Sequence, residues 1–443
     1  MTPAARLSAA IEVLSDIEAR RRPAPDALKD WGLLHRFAGS GDRAGIAGLV
    51  YDALRRRASS AWIMGADKPR AVLIGMLKRE RGMAVEAIAA LCDGSRFAPA
   101  PLSEDEHARL TAASLDGAPP HVTGDYPEWL DARLAATFGD ERAEEGAALA
   151  SRAPLDLRVN TLEADRDKAA ESLSDLAPEP TRWSPFGLRI VLGADAKNPA
   201  VHAEPAFLKG LVEIQDEGSQ LAALLSGAKP GEQVIDLCAG AGGKTLALAA
   251  MMDNHGQLYA TDTDKRRLAP IHARLERAGV RNVQVRTPRS SSSSPASGGG
   301  PGQDVLADLA AKADLVLIDA PCTGTGAWRR NPDAKWRVRP GALAERLKEQ
   351  AEALDRAAAL VKPGGRIAYV TCSVLEEENG AQVRGFIAHH PDFAVVPPSD
   401  VVGALGERAF LFRRAVLATD EGLLMTPRRT DTDGFFVSLL RRQ

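Results

Sequence analysis

The sequence predicts an α/β protein: a doubly wound parallel sheet, preceded by a small α/β domain and an all-α N-terminal domain. Three observations predict it. From Gly231 onward, apolar strand-like runs alternate with helical stretches, the rhythm of a parallel sheet joined by crossover helices. Just upstream, LDLRVNTL sets Leu155, Leu157 and Val159 against polar neighbours with the period of a half-buried strand. From Arg6 to about Leu110, apolar residues recur instead at the three-and-four spacing of helices.

At 443 residues the chain exceeds one ordinary core, and the expected domains are 1–122, 123–205 and 206–443. In the first, the helical segments AIEVLSDI, LLHRFA, IAGLVYDAL, AVLIGMLKR and AVEAIAALC are separated by turn signals such as Ser40-Gly41-Asp42 and Asp93-Gly94-Ser95. The triplets Arg20-Arg21-Arg22 and Arg55-Arg56-Arg57 are either phosphate contacts or solvated helix ends. A Gly/Pro/Ala-rich linker from Ala112 to Val122 leads to two helices, the LDLRVNTL strand and a strand or hairpin in TRWSPFGLRIVLG. The last domain reads QVIDLCAG, a helix from Lys244 to about Asp253, QLYATD, a helix from Arg266 to Ala278, NVQV, LVLIDAPC, a helix from Gly341 to Leu360, RIAYVTCS, a helix from Glu376 to His389, and FFVSLLRR. Between Val285 and Gln303, a Ser/Gly/Pro run has too little apolar surface to offset its ordering entropy, and a mobile loop is expected.

The formal net charge of -3 leaves any basic footprint to be local. The four cysteines, at 92, 238, 322 and 372, form no C-x-x-C pair, which fits reduced thiols better than a disulfide framework or a zinc site. No run approaches membrane-spanning length and the start lacks a signal-peptide core, so a cytoplasmic protein without membrane association is expected.

Two features carry chemistry. Asp236-Leu237-Cys238-Ala239-Gly240-Ala241-Gly242-Gly243-Lys244-Thr245 lies between a strand and a helix, where glycines admit a ligand to the backbone and the helix start offers unpaired N–H groups. Asp262 closes the next strand, placed to accept ribose hydroxyls, so a ribose-bearing cofactor is favoured over an empty structural turn. The second feature is a pair of strand-end thiols, Cys322 after Asp319-Ala320-Pro321 and Cys372 after Tyr369-Val370-Thr371. A lone thiol is usually a small hydrophobe, but two delivered to the edge that also holds the glycine loop point to covalent catalysis. A thiolate adding to an electron-poor ring carbon makes the neighbouring carbon nucleophilic. Asp319 and Lys244 are the charged groups able to orient the ring, and Lys244 also favours a thiolate. Cys92, on an apolar helix, is assigned to the core, and Cys238 is expected to contribute only its backbone.

DLCAGAGGKT, LIDAPCTGTGAWRRNPDAKW, YVTCSVLEEEN and TDGFF together resemble the RNA cytosine-5 methyltransferases of the Sun/Nol/Nop family. LDLRVNTL and IQDEGSQLAALL resemble that family's small domain, and the helical region is similar to the NusB-like RNA-binding domain of its RsmB-like bacterial branch. The resemblance implies a Rossmann-like methyltransferase domain using S-adenosylmethionine. It implies that Cys372 attacks carbon 6 of cytosine and that Cys322 assists proton loss at carbon 5 and enzyme release. It also implies a cofactor site of Cys238, Ala239, Gly240, Ala241, Gly242, Gly243 and Lys244, with Asp262, Arg267 and Asp319. The expected partner is RNA, ribosomal RNA in particular, and the protein is expected to be a monomer without metal.

Arg329, Arg330, Lys335, Trp336 and Arg337, with Trp328 and Arg339, make a local cluster of cations and aromatics beside Cys322. It reads as an RNA contact, against a structural turn with core tryptophans. Lys209, Arg413, Arg414, Arg428, Arg429, Arg441 and Arg442 are candidates to extend it. One departure from the family pattern concerns the adenine: no acid follows Val285 until Asp304. Either Asp304 reaches back, or backbone and packing hold the adenine, or the segment is a local sequence error. A catalytically impaired RNA-binding or ribosome-assembly factor is therefore the alternative. An adenine amino methyltransferase is disfavoured, because Asp319 leads to Pro-Cys rather than to an aromatic clamp.

Overall fold

The computed structural model describes residues 1–193, 199–287 and 305–443. The Ser/Gly-rich stretch from Pro288, where a mobile loop was expected, and Asp304 lie outside the described residues. The chain divides into two compact units, Met1–Ala153 with Ala327–Arg339, and Pro154–Gly326 with Pro340–Gln443.

The first unit is helical. Pro3–Arg20, Ala24–Leu34, Ser40–Arg55, Arg57–Met64, Pro69–Arg79, Val85–Leu91 and Glu104–Ala112 form helices whose apolar stripes, among them Leu7, Val13, Ile46, Leu73 and Ile74, close one core that also buries Cys92. Their starts follow local rules. Proline occupies the first turn of Pro3–Arg20 and Pro69–Arg79, and Ser103 with Glu106 forms a reciprocal capping box. The helices Asp131–Phe138 and Arg142–Leu149, which the sequence grouped with the small α/β domain, belong to this unit.

The second unit holds two sheets. Strands β1 (Leu155–Val159), β2 (Glu179–Pro180), β3 (Gly187–Ile190) and β4 (Val212–Ile214) make an antiparallel sheet of order β2-β3-β1-β4. Its fourth strand lies past the boundary expected at residue 205. The larger sheet contains β5 (Gln233–Asp236), β6 (Gln257–Ala260), β7 (Val283–Val285), β8 (Ala313–Asp319), β9 (Val361–Thr371), β10 (Phe393–Val395), β11 (Leu417–Ala418), β12 (Leu423–Met425) and β13 (Phe435–Arg442). Its order is β11-β12-β13-β9-β8-β5-β6-β7, with β10 on β13.

The run β7-β6-β5-β8-β9 is parallel, and the strand order reverses at β5, so the carboxyl ends of β5 and β8 flank the switch point where such sheets bind ligands. Two expectations are corrected. FFVSLLRR, read as the last strand of a parallel sheet, pairs antiparallel with β9, because β11 and β12 reverse the chain in place of a crossover helix. The helix expected over 266–278 is two, Lys265–Leu268 and Ile271–Arg277, since Pro270 has no N–H to continue the ladder.

Candidate active site

At the carboxyl end of β5 the chain turns through Leu237–Gly242 into the helix Gly243–Met251. Gly240 and Gly242 take positive φ values of 51° and 86°, and a Cβ on Gly242 would stand 2.5 Å from Ile271 Cγ1. The Gly240 N–H donates to Asp262 Oδ2 over 2.9 Å, and Asp264 N donates to Asp262 Oδ1 over 2.8 Å, fixing this buried carboxylate. Arg267 stands 4.0 Å from it. A Cβ on Gly240 would lie 3.5 Å from Arg267 Nη2 and 3.9 Å from Asp262 Oδ2, so glycine keeps open the space beside the acid. Arg274 secures the loop from behind, donating to the Ala241 carbonyl at 2.7 Å and pairing with Glu213 of β4 at 3.0 Å.

Below the loop, Asp236 is fully buried. Its Oδ2 accepts from Thr245 Oγ1 at 2.7 Å and its Oδ1 has no partner among the described residues. Burial pushes its carboxyl up to about 7. At the end of β8, half-exposed Asp319 pairs with buried Lys244 at 2.8 Å, and the ammonium stands 5.0 Å from the Phe435 ring of β13. Lys244 and Asp319 thus meet as one pair at the switch point. Burial and neighbouring carboxylates push the Cys238 thiol upward, leaving it a poor thiolate.

The two strand-end thiols converge: Cys322 Sγ lies 3.3 Å from Cys372 Sγ. The hydrogen bond with Cys372, then burial, holds Cys322 well above the ordinary thiol range. One residue the sequence reading missed ties both cysteine loops together. The buried Glu378 carboxylate accepts from Thr323 N at 2.8 Å, from the Thr323 hydroxyl, from Gln350 Nε2 at 3.0 Å and from the Ser373 hydroxyl. Gln350 also donates to the Pro321 carbonyl at 2.9 Å, and Tyr369 OH to the Glu378 carbonyl at 2.7 Å. Asn379 accepts from Thr371 Oγ1 at 2.6 Å and donates to the Ser373 carbonyl at 3.0 Å.

Two backbone contacts complete the clamp. Gly326 N donates to the Cys372 carbonyl at 2.9 Å, and a Cβ on Gly326 would fall 2.1 Å from the Gly434 carbonyl. The available signal was the run Glu376-Glu377-Glu378-Asn379 directly after the Thr-Cys motif. A short 3-10 turn, without a helical period, decides which of those acids faces inward.

The expected RNA contact is corrected for two residues. Segment 327–339 is part of the helical unit, where Arg329 is 1% and Lys335 0% exposed, so neither presents its charge to solvent. Lys335 Nζ donates to the carbonyls of Arg55 at 2.8 Å and Asp125 at 2.6 Å. Half-buried Trp336 donates to the Leu54 carbonyl at 2.7 Å, and Trp328 is buried. Lys335 and Trp336 here satisfy carbonyls of the helical unit, while Arg329 and Trp328 are buried. Arg330 is half-buried, and exposed Arg337 pairs with Asp333 at 3.0 Å. Burial pushes the Lys335 ammonium down to about 7.

A family model for the 16S rRNA methyltransferase RsmB/F matches residues 223–441, and one for the ferredoxin-like domain of RsmF/B-like methyltransferases matches residues 126–196. The probable ribosomal RNA small subunit methyltransferase B of Synechocystis is 31% identical over 320 residues, which cover 72% of this chain and 67% of that protein. The ribosomal RNA small subunit methyltransferase B of Sodalis glossinidius is 32% identical over 324 residues, 72% of this chain and 66% of that one. The chain thus spans about two thirds of these relatives' length. Among solved structures, PH0851 superposes with a TM-score of 0.68 at 24% identity, over 100% of this chain and 99% of its own. That likeness concerns the fold. Among the described residues no helix is long and apolar enough to cross a membrane.

Proposed function

The chain belongs to the RsmB/F family of 16S ribosomal RNA methyltransferases, which use S-adenosylmethionine, and from that premise we propose that it methylates carbon 5 of a cytosine in 16S rRNA through a covalent Cys372 adduct. The observation that carries this reading is the convergence of Cys322 and Cys372, 3.3 Å apart, at the sheet edge that also holds the glycine loop.

The loop suits the cofactor. Glycine at 240 leaves room beside Asp262, whose oxygens can take ribose hydroxyls next to Arg267, and the backbone from Cys238 to Lys244 lines the approach. Bound there, S-adenosylmethionine supplies an electrophilic methyl group. Cys372 forms a bond to carbon 6 of the cytosine, opening the 5,6 double bond so that carbon 5 becomes nucleophilic. After carbon 5 has taken the methyl group, it loses its proton with the help of Cys322. The sulfur–carbon 6 bond then breaks as the double bond returns, releasing Cys372. Asp319, held by Lys244, stands where it can orient the base. Within the 327–339 cluster, Arg330, Trp336 and Arg337 remain as RNA contacts in this reading.

Cys372→Ala is expected to abolish transfer of labelled methyl to 16S rRNA, and Cys322→Ala to accumulate a protein–RNA adduct resolvable on denaturing gels. Methyl transfer by Cys372→Ala would overturn the assignment of the nucleophile. Failure to bind S-adenosylmethionine at millimolar concentration in calorimetry would turn the reading toward an RNA-binding factor without activity.

A further inference from the structure

We propose that one face of the second unit, formed by the helix Ala409–Ala415 with Arg408, Arg182 and Arg428, docks single-stranded RNA. This rests on the RNA methyltransferase reading and adds to it a surface outside the reacting centre. The helix is anchored by Phe412, which is fully buried with its ring 5.3 Å from Trp183 in an edge-on contact. With Phe412 inward, helical geometry turns Phe410, Leu411, Arg413 and Arg414 to solvent. Phe410 is 68% and Leu411 57% exposed, on a face where a globular domain ordinarily carries polar residues.

Four arginines of this face carry unneutralised charges. Among the described residues, none of Arg182, Arg408, Arg413 and Arg414 pairs with a carboxylate, and Glu407 is the exposed acid among them. Elsewhere in the same unit, Arg189, Arg366 and Arg384 are each held by acids. Two of the unpaired arginines lie on aromatic rings, Arg182 at 4.4 Å from the Trp183 centroid and Arg414 at 5.8 Å from that of Phe410.

Guanidinium groups without acids, alternating with an open aromatic face, match a chain of phosphates bearing bases that can stack. A lipid surface fits less well, since one short helix with two apolar side chains inserts little area. A short stretch of chain joins the face to the reacting centre. Trp183 Nε1 donates to the Thr430 carbonyl at 2.8 Å, and Arg428 stands six positions before Gly434, which packs on Gly326 between the cysteine loops. Six residues span at most about 20 Å, so a strand on this face is within reach of the thiols.

The test is fluorescence anisotropy of the full chain with a labelled, unstructured RNA of about 20 nucleotides across a salt series. Arg413→Gln/Arg414→Gln is expected to weaken binding about tenfold and to lower the slope of log affinity against log salt by about 1.4, the value for two lost phosphate contacts. Phe410→Ala is expected to weaken it about tenfold with the slope unchanged. S-adenosylmethionine binding by calorimetry should stay at the wild-type value in both variants, showing that the fold is intact. Unchanged RNA affinity and slope in folded variants would overturn the proposal, as would a wild-type protein that does not bind the RNA. So would binding to phosphatidylglycerol vesicles that these variants lose while RNA binding persists. Wild-type protein that binds this RNA through the face but transfers no methyl to 16S rRNA would instead sink the methyltransferase reading and leave the surface standing.

Discussion

Removing the Glu378 carboxylate tests whether it is what holds the two cysteine loops in register. In Glu378→Ala the hydroxyls of Thr323 and Ser373 can rotate to other acceptors, but Thr323 N–H and Gln350 Nε2–H lose acceptors at 2.8 and 3.0 Å inside a buried site. Each orphaned donor costs about 1–3 kcal/mol, so about 2–6 kcal/mol is at stake in the second unit. The chain has two ways to recover this energy, local unfolding or a shift of the Thr323 loop that lets water in. A shift of about 1 Å between Cys322 and Cys372 should slow methyl transfer about a hundredfold. Glu378→Gln separates charge from shape, because an amide oxygen can still serve Thr323 N and Gln350 while the amide nitrogen faces hydroxyls free to turn. It should retain most of the stability and lose less than tenfold in rate. The assay pairs initial rates of labelled methyl transfer with urea melts, and adds calorimetric S-adenosylmethionine affinity, which neither variant should change. A folded Glu378→Ala protein within threefold of the wild-type rate would refute the reasoning.

Two further predictions concern buried charge. Asp236 holds its proton in the folded chain to about pH 7, against 3.8 for the ordinary carboxyl, so the native state binds more protons than the unfolded chain between those values and stability falls as pH rises through that window. Relative to Asp236→Asn, wild type should lose about 2–3 kcal/mol between pH 5 and pH 7.5 in urea melts, and parallel pH profiles would show that Asp236 is not the group responsible. In the helical unit, Lys335→Met leaves the carbonyls of Arg55 and Asp125 without their donor. A loss of about 2–4 kcal/mol is expected by calorimetric melting, less than two full orphan penalties because a buried charge goes with it, and an unchanged melting temperature would contradict the role described.

Much of the catalytic sheet was legible because its parallel strands are short, apolar and punctuated. QVIDLCAG, QLYATD and LVLIDAPC each end in the polar residues that line the switch point. The direction of β13 was not legible, since apolar FFVSLL is equally suited to parallel or antiparallel pairing and only the β11–β12 reversal decides. Pro270 carried its signal openly, while the inward turn of Glu378 depends on tertiary partners in two distant loops. The cluster from Arg329 to Arg337 shows the limit of composition. The same lysine and tryptophans that suit an RNA surface also suit a core in which ammonium and indole N–H groups meet backbone carbonyls, as Lys335 and Trp336 do.

The placement of residues 327–339 in the helical unit also sets a timetable for synthesis. Residues 1–153 leave the ribosome first, yet Lys335 and Trp336, which cap the carbonyls of Leu54, Arg55 and Asp125, are made only after more than 170 intervening residues. At a translation rate of about 5–20 residues per second, the nascent helical unit waits roughly 10–35 s for its last piece. During that interval the carbonyls of Leu54, Arg55 and Asp125 lack these donors, and the helical unit closes once residue 339 is made, while the second unit still waits for β9 and β13.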